Sequence, residues 1–406
     1  MNKSTVGELI IDDESCQYGL GLPAEEYTPN KVRYLRISDL DDSGNLLDDD
    51  KKSISAPNIQ EYILKPNDLV VARTGNSTGR TYVYSEDDEK LAYAGFLIKY
   101  VFDSEKINPR YMKYFTISNI YKKQISGFSG STRGNMNAQN FKDITVIYPD
   151  RKIQDKMVKL FDLISKKIKN NNKIISELES MTKTIYDYWF LQFEFPNEDG
   201  KPYKSSGGKM VWNDELKREI PEGWKVEPLF QCMDVTYGYP LSTNFFNQEE
   251  GTPVIRIRDI LDNSTSAYTT EKIPDKYISE SKDLLVGMDG NFHMNYCCED
   301  GQYINQRIVR IREKDNISTM QVCFEIAPYI KKKEQNVARS TVGHLSDKDL
   351  KSIYILNSNN IHIYKVFNGF LEKICTARKE NKKLTALRDF LLPMLMNGQV
   401  TFKEDE

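Results

Sequence analysis

The chain has 406 residues, a formal net charge of −3, 39% hydrophobic and 28% charged side chains, a composition that excludes a disordered or fibrous protein and predicts at least two globular domains. No apolar run approaches the roughly 18 residues of a membrane span, and the opening "MNKSTVGELI" lacks the apolar core of a secretion signal. Cys16, Cys232, Cys297, Cys298, Cys323 and Cys375 show no metal-type spacing, so a cytoplasmic chain with reduced thiols is expected.

Residues 1–150 read as a mixed α/β domain. Short strand patterns occur in "YLRISDL" (34–40) and in "YILKPNDLVVARTGN" (62–76), which runs from a turn through an apolar strand to a Gly-Asn turn. The acidic stretch "DLDDSGNLLDDDKK" (39–52) is expected to face away from phosphates. Residues 105–134 carry six basic side chains (Lys106, Arg110, Lys113, Lys122, Lys123, Arg133) against one acid, Glu105. The domain closes with "GSTRGNMNAQNFKDITVIYP" (130–149), a polar loop, a helical segment and a strand.

Residues 151–194 predict a long helix. Alternate steps of three and four give Phe161, Ile164, Ile168, Asn171, Ile175, Leu178, Thr182, Ile185 and Trp189, an apolar stripe with the period of a coiled coil. Residues 195–225 are rich in Pro, Gly, Ser and Lys and read as a connector.

Residues 226–357 then repeat the first domain's phrases: "VIRIRDI" (254–260), "YISESKDLLVGMDGN" (277–291) and "ARSTVGHLSDKDLKSIYILN" (338–357). "TYGYPLS" (236–242) is a fainter partner of "QYGLGLP" (17–23). A second basic stretch, 306–340, matches the first in position, with eight cationic side chains (Arg307, Arg310, Arg312, Lys314, Lys331, Lys332, Lys333, Arg339) against four acids. Solvated surface charge is the competing reading of each stretch taken alone.

Residues 358–406 hold the second long helix and a tail. Its stripe reads Phe367, Phe370, Ile374, Ala377, Asn381, Leu384, Arg388, Leu391 and Leu395, in the phase of the first, and "FNGFLEKI" repeats "FDLISKKI". Seven of the nine positions are apolar in each copy, and the polar interruptions fall at different levels of the repeat. Pro393 should kink or stop the helix, with Asn397-Gly398 as terminator.

The expected fold class is therefore α+β: two mixed α/β domains alternate with two long helices that pair as an antiparallel coiled coil, in a pseudo-twofold tandem repeat. Two unrelated amphipathic helices are the alternative. Helices of 30 to 40 residues span roughly 45 to 60 Å, which along duplex DNA corresponds to roughly 13 to 18 base pairs. Such a pair is expected to act as a ruler between two DNA-reading domains.

"GKPYKSSGGKMVW", "LKREIPEGW" and the C-terminal "LRDFLLPMLMNGQV" resemble segments of type I restriction-modification specificity subunits, and the likeness extends over the whole chain. It implies two target-recognition domains reading a bipartite sequence in double-stranded DNA, and no catalytic activity in this chain. It also implies assembly with two methyltransferase (modification) subunits and with restriction nuclease-translocase subunits. No cofactor is implied here, S-adenosylmethionine being expected on the partner methyltransferase, which would modify adenine. One departure is that the first domain starts at "STVGELI" without a Trp-containing lead-in such as "IPEGWKVEPL", so its opening strand is expected to be built differently.

The residues themselves offer little chemistry. "GLGLP" (19–23) lacks the third glycine that opens a helix in a nucleotide loop. Asp275 and Glu280 carry the letters of a nuclease metal site but sit five apart in one segment, where metal-binding acids come from separate strands. The three histidines have no ligand spacing.

Candidate DNA contacts lie instead in polar loops that combine Arg and Asn, suited to base edges, with Ser and Thr, suited to phosphates. In the first domain these are Arg73, Asn76, Arg80, Ser131, Thr132, Arg133, Asn135 and Asn137; in the second, Asn291, His293, Asn295, Arg339, Ser340, Thr341 and His344. Arg36, Arg256 and Arg258 are weaker candidates, and ordinary turn chemistry competes for each single residue. The rival reading of the chain is a stand-alone DNA-modifying enzyme with an unrecognised active site and a helical dimerisation stalk.

Overall fold

The computed structural model describes residues 1–129, 135–314, 316–336 and 343–403. The chain divides into two compact units, Met1–Lys166 with Leu384–Glu406, and Lys167–Lys383. Each unit holds one repeat and parts of both long helices.

In the first unit, an antiparallel sheet has the order Gln17–Tyr18, Leu97–Tyr100, Leu69–Ala72, Thr81–Val83. A second sheet runs Glu25–Glu26, Lys52–Ile54, Val32–Leu35, Leu91–Tyr93, its last pair parallel. Leu69–Ala72 and Leu91–Tyr93 are wholly buried, which explains their near-continuous apolar sequences. The acidic loop supplies counter-charges in place. Arg33, 2% exposed, is held by Asp48 at 2.7 Å and Glu89 at 2.9 Å, Arg36 by Asp39 and Asp50, and Arg80 by Asp42.

The second unit repeats this topology strand for strand. Met233–Tyr237, Ile308–Glu313, Leu284–Gly287 and Met294–Tyr296 form the antiparallel sheet. Phe246–Asn247, Tyr268–Thr269, Thr252–Ile255 and Tyr303–Ile304 form the other, again ending in a parallel pair. Details recur too. Asp68 and Asp283 are buried, and each accepts the backbone N–H three residues before it, of Lys65 (2.8 Å) and Glu280 (2.7 Å). Gly19 and Gly238 occupy matching crossings, where an added Cβ would lie 2.3 Å from Ala94 O and 2.0 Å from Asn305 O. The "GLGLP" glycine is thus a packing requirement.

The opening strand of the first domain corrects the sequence expectation. Asn2–Thr5 pairs antiparallel with Thr145–Tyr148 just as Lys225–Pro228 pairs with Tyr354–Asn357. Each opening strand leads into a four-residue helix, Val6–Leu9 and Leu229–Cys232. The lead-in tryptophan, Trp224, serves another purpose, stacking on Phe195 at 4.9 Å. Phe195 also stacks on Tyr203 (4.7 Å) and Trp189 (5.3 Å). Beside this cluster Met210–Asn213 and Arg218–Pro221 form a hairpin, so the segment read as a connector carries regular structure.

The long helices are Arg151–Tyr186, extended by a wider turn at Asp187–Leu191, and Ile361–Met396. All eighteen stripe positions are buried or half-buried. Within the second unit the helices run antiparallel: Asn171 meets Asn381 at 2.9 Å, and further along the first helix Phe190 meets Phe367, with centroids 6.2 Å apart. Two of the four polar interruptions, Asn171 and Asn381, therefore face each other although they fall at different levels of the repeat. Asn171, 2% exposed, donates from Nδ2 to Glu380 and Asn381, and Asn381 donates to Asn172. A polar pair inside an apolar seam fixes register. The second helix buries a wider face than its stripe, adding Ile363, Leu371 and Cys375. Pro393 lies inside it, and it ends at Met396 ahead of Gly398, whose φ is +68°.

Candidate nucleic-acid interface

Three chain segments converge beside the central strand of each antiparallel sheet. In the first repeat the chain leaves Leu69–Ala72 and Arg73 N–H donates to Phe96 O (3.0 Å), while Met136 N–H donates to Arg73 O (2.8 Å). Thr74 bridges Asn135. In the second, Met288 N–H donates to Arg307 O (2.9 Å), Leu345 N–H donates to Met288 O (2.8 Å), and Asp289 bridges His344. Gly75 and Gly290 turn both loops with φ of +72° and +73°, a conformation other residues adopt at a cost. The third segment then enters a short helix capped by Asn137 in one repeat and Ser346 in the other, each through a reciprocal bond with the residue three on. The scaffold is duplicated, while the side chains on it differ.

The structure separates the sequence candidates into three groups. Asn76, Asn135 and Asn291 are exposed on the converging loops. The Arg73 guanidinium stacks over the Tyr18 ring at 5.1 Å, and His344 Nδ1 lies 2.7 Å from Asp289 Oδ1. A second group is committed to the scaffold. Arg80 donates to Asp42 (2.7 Å) and Leu40 O (3.0 Å), and Asn137 uses its Oδ1 on Asn140 N–H. Asn295 donates to Ile260 O and Leu261 O and accepts from Arg378. His293, half-buried, is held through its backbone to Gly287 and Asn291. The third group, Ser131, Thr132, Arg133, Arg339, Ser340 and Thr341, lies outside the described residues.

Electrostatics revise the reading of the second basic stretch, because much of it is neutralised internally. Arg310, 2% exposed, pairs with Asp234 at 2.6 Å, and Arg312 pairs with Asp283 and Glu280. Lys333 pairs with Asp349, where burial is outweighed by bonds from Ser346 and Lys333 that hold the carboxyl down at about 2. The weak candidates Arg36 and Arg256 clasp buried Asp39 and Asp259, whereas Arg258 is exposed. Glu280, half of the nuclease-like pair, is thereby occupied, and Asp275 opens a single turn, Asp275–Tyr277. Among the described residues no group of three His, Cys, Asp or Glu is placed to hold a metal, and no helix is long and apolar enough to cross a membrane.

Sequence reasoning missed Tyr18, Phe96, Asp289 and Arg307, all at the loop cluster. Phe96 is 58% exposed and the Arg307 side chain 56%. The missed signal is alignable: "AGFLIKY" and "NQRIVRI" both step from the parallel crossing into the sheet. Aligned through Phe96 and Arg307, the two stretches share no identical residue.

Comparison with known proteins adds the following. A family model described as the type I restriction modification DNA specificity domain matches residues 21–180 and 221–357. Over 134 residues the chain is 32% identical to the specificity subunit of type I restriction enzyme EcoBI from Escherichia coli, covering 32% of this chain and 28% of that one. Over 299 residues it is 24% identical to the MjaIX specificity subunit from Methanocaldococcus jannaschii, covering 70% and 66%. The matches thus span less than two thirds of the length of either relative. The crystal structure of a type-I restriction-modification system S subunit from M. genitalium has a TM-score of 0.59 at 14% identity, covering 100% of this chain and 96% of that one. This likeness is one of fold.

Proposed function

Since the chain belongs to the type I restriction-modification DNA specificity family, we propose that it is a non-catalytic subunit that reads a bipartite sequence in double-stranded DNA. It directs partner adenine methyltransferase subunits, two per complex, and restriction nuclease-translocase subunits to that sequence. S-adenosylmethionine binds the methyltransferase partner, and the complex works in the cytoplasm. One observation carries this reading. The three-segment loop cluster is built twice on the same backbone bonds, yet Arg73, Thr74, Phe96 and Asn135 become Met288, Asp289, Arg307 and His344. A duplicated frame with different polar and apolar groups suits recognition of two different short sequences, because base edges are told apart by donor, acceptor and methyl patterns.

The test is modified-base sequencing of a host that makes the methyltransferase partner with and without this chain. The proposal expects a two-part motif with an unread gap, present only with the chain. A motif that survives without it, or methylation by the purified chain alone with bound cofactor, would overturn the proposal.

A further inference from the structure

At the centre of the two loop clusters stand two backbone-bonded pairs, Arg73 with Phe96 and Met288 with Arg307. The pairs are equivalent. Phe96 and Arg307 each directly precede an inner strand of the antiparallel sheet, Leu97–Tyr100 and Ile308–Glu313. Their side chains are exchanged: the cation stands on the first loop in one repeat and on the second loop in the other. We infer that Arg73 and Arg307 are the guanine-reading residues of the two half-sites, one in each domain. The inference rests on the DNA-specificity reading above and names the chemistry that the site recognises.

Among the described residues, few guanidinium groups at the two repeats are free of a carboxylate partner. In the first repeat Arg33, Arg36, Arg80 and Arg110 all pair with carboxylates, whereas Arg73 has no carboxylate partner among the described residues. Its Nε is buried without a hydrogen-bond partner, and its guanidinium carbon lies over the Tyr18 ring, 5.1 Å from the ring centre. In the second repeat Arg256, Arg310 and Arg312 are consumed by Asp259, Asp234 and Asp283, and the exposed Arg258 sits in the turn Ile257–Asp259, outside the three converging segments. Arg307 is different. It approaches Asp289 Oδ2 through Nε at 3.3 Å, and the other oxygen of Asp289 takes His344 Nδ1 at 2.7 Å.

An arginine held at Nε keeps its two terminal nitrogens for a partner with two acceptors side by side. In the major groove that partner is guanine, through O6 and N7. A phosphate is the poorer match for Arg307, because the Asp289 carboxylate beside it repels a second anion. For Arg73 the stacked ring does what the carboxylate does in the other repeat. Phe96, exposed next to it, offers an apolar surface to a neighbouring base or thymine methyl, a contact that the second domain gives up by carrying Arg307 there.

The test uses the full chain assembled with its methyltransferase partner, assayed for methylation rate on the motif duplex and on duplexes changed one base pair at a time. Arg73→Gln should lower discrimination at one G·C pair of one half-site by about 5- to 140-fold, leaving the other half-site intact. Arg307→Gln should do the same in the other half-site. The intact half in each case reports a folded, assembled protein. Arg73→Lys and Arg307→Lys keep the charge but lose the two-pronged donor, so they should relax the same base pair. Full rescue by lysine, unchanged discrimination in both glutamine variants, or equal loss on every duplex with a flatter salt dependence would each overturn the inference. A wild-type complex without any two-part motif would instead overturn the functional reading beneath it.

Discussion

Glu325 offers a quantitative test of the packing in the second unit. Its carboxylate lies under the strand Tyr354–Asn357, taking Gln321 Nε2 on one oxygen (2.7 Å) and Leu356 N–H on the other (2.8 Å). Burial pushes the carboxyl up from 4.5 to about 7, against those bonds. A carboxyl raised in the folded state contributes stability that is fully present below its unfolded value and is lost as pH rises through the folded one. At about 1.36 kcal/mol per pH unit, the shift corresponds to about 3 kcal/mol lost between pH 4.5 and just above pH 7. Glu325→Gln removes the titration. It also adds a constant cost, since an amide turns one N–H₂ toward a donor. Urea unfolding of the full chain across that pH range should show wild type losing about 3 kcal/mol relative to the variant, other carboxylates cancelling in the difference. A difference that stays flat with pH would refute the buried-carboxyl argument.

Gly238→Ala forces a Cβ to within 2.0 Å of Asn305 O and should destabilise the chain by about 1–3 kcal/mol in the same unfolding assay. Asn171→Ala should lower the urea midpoint because it empties a buried position and removes two hydrogen bonds, while Asn171→Leu, which fills the apolar seam, should hold or raise it. Equal loss in both variants would contradict the register role of the asparagine pair. Inserting four residues at equivalent points of both long helices adds about 6 Å and should lengthen the unread gap by about two base pairs, both half-sites unchanged, as read by modified-base sequencing.

How far the sequence could be read follows from what each signal depends on. The helices were legible because a stripe such as Phe161, Ile164 and Ile168 is a local periodicity that burial requires. The facing of Asn171 and Asn381 was not, since the register between two antiparallel stripes is a tertiary fact absent from either stripe. Repeated strands were legible where turn residues recur, as in "PNDL" and "SKDL", whose Asp must cap the turn. The opening strand was missed because its partner, Thr145–Tyr148, lies far along the chain. At the candidate site, residue type identified polar loops but not occupancy. Arg80 and Asn295 look like Arg73 and Asn135 in sequence, and only the fold shows that Asp42 and Arg378 already engage them. Arg307 was hidden for the converse reason, standing among arginines that are mostly neutralised.

On the reading proposed above, each repeat reads its own half of a two-part DNA sequence. Replacing residues 226–357 with the corresponding domain of a relative, and mapping the modified motif by sequencing, tests it most directly. One half-site should change and the other should be kept. A motif altered in both halves, from a chain that still folds and assembles, would contradict it.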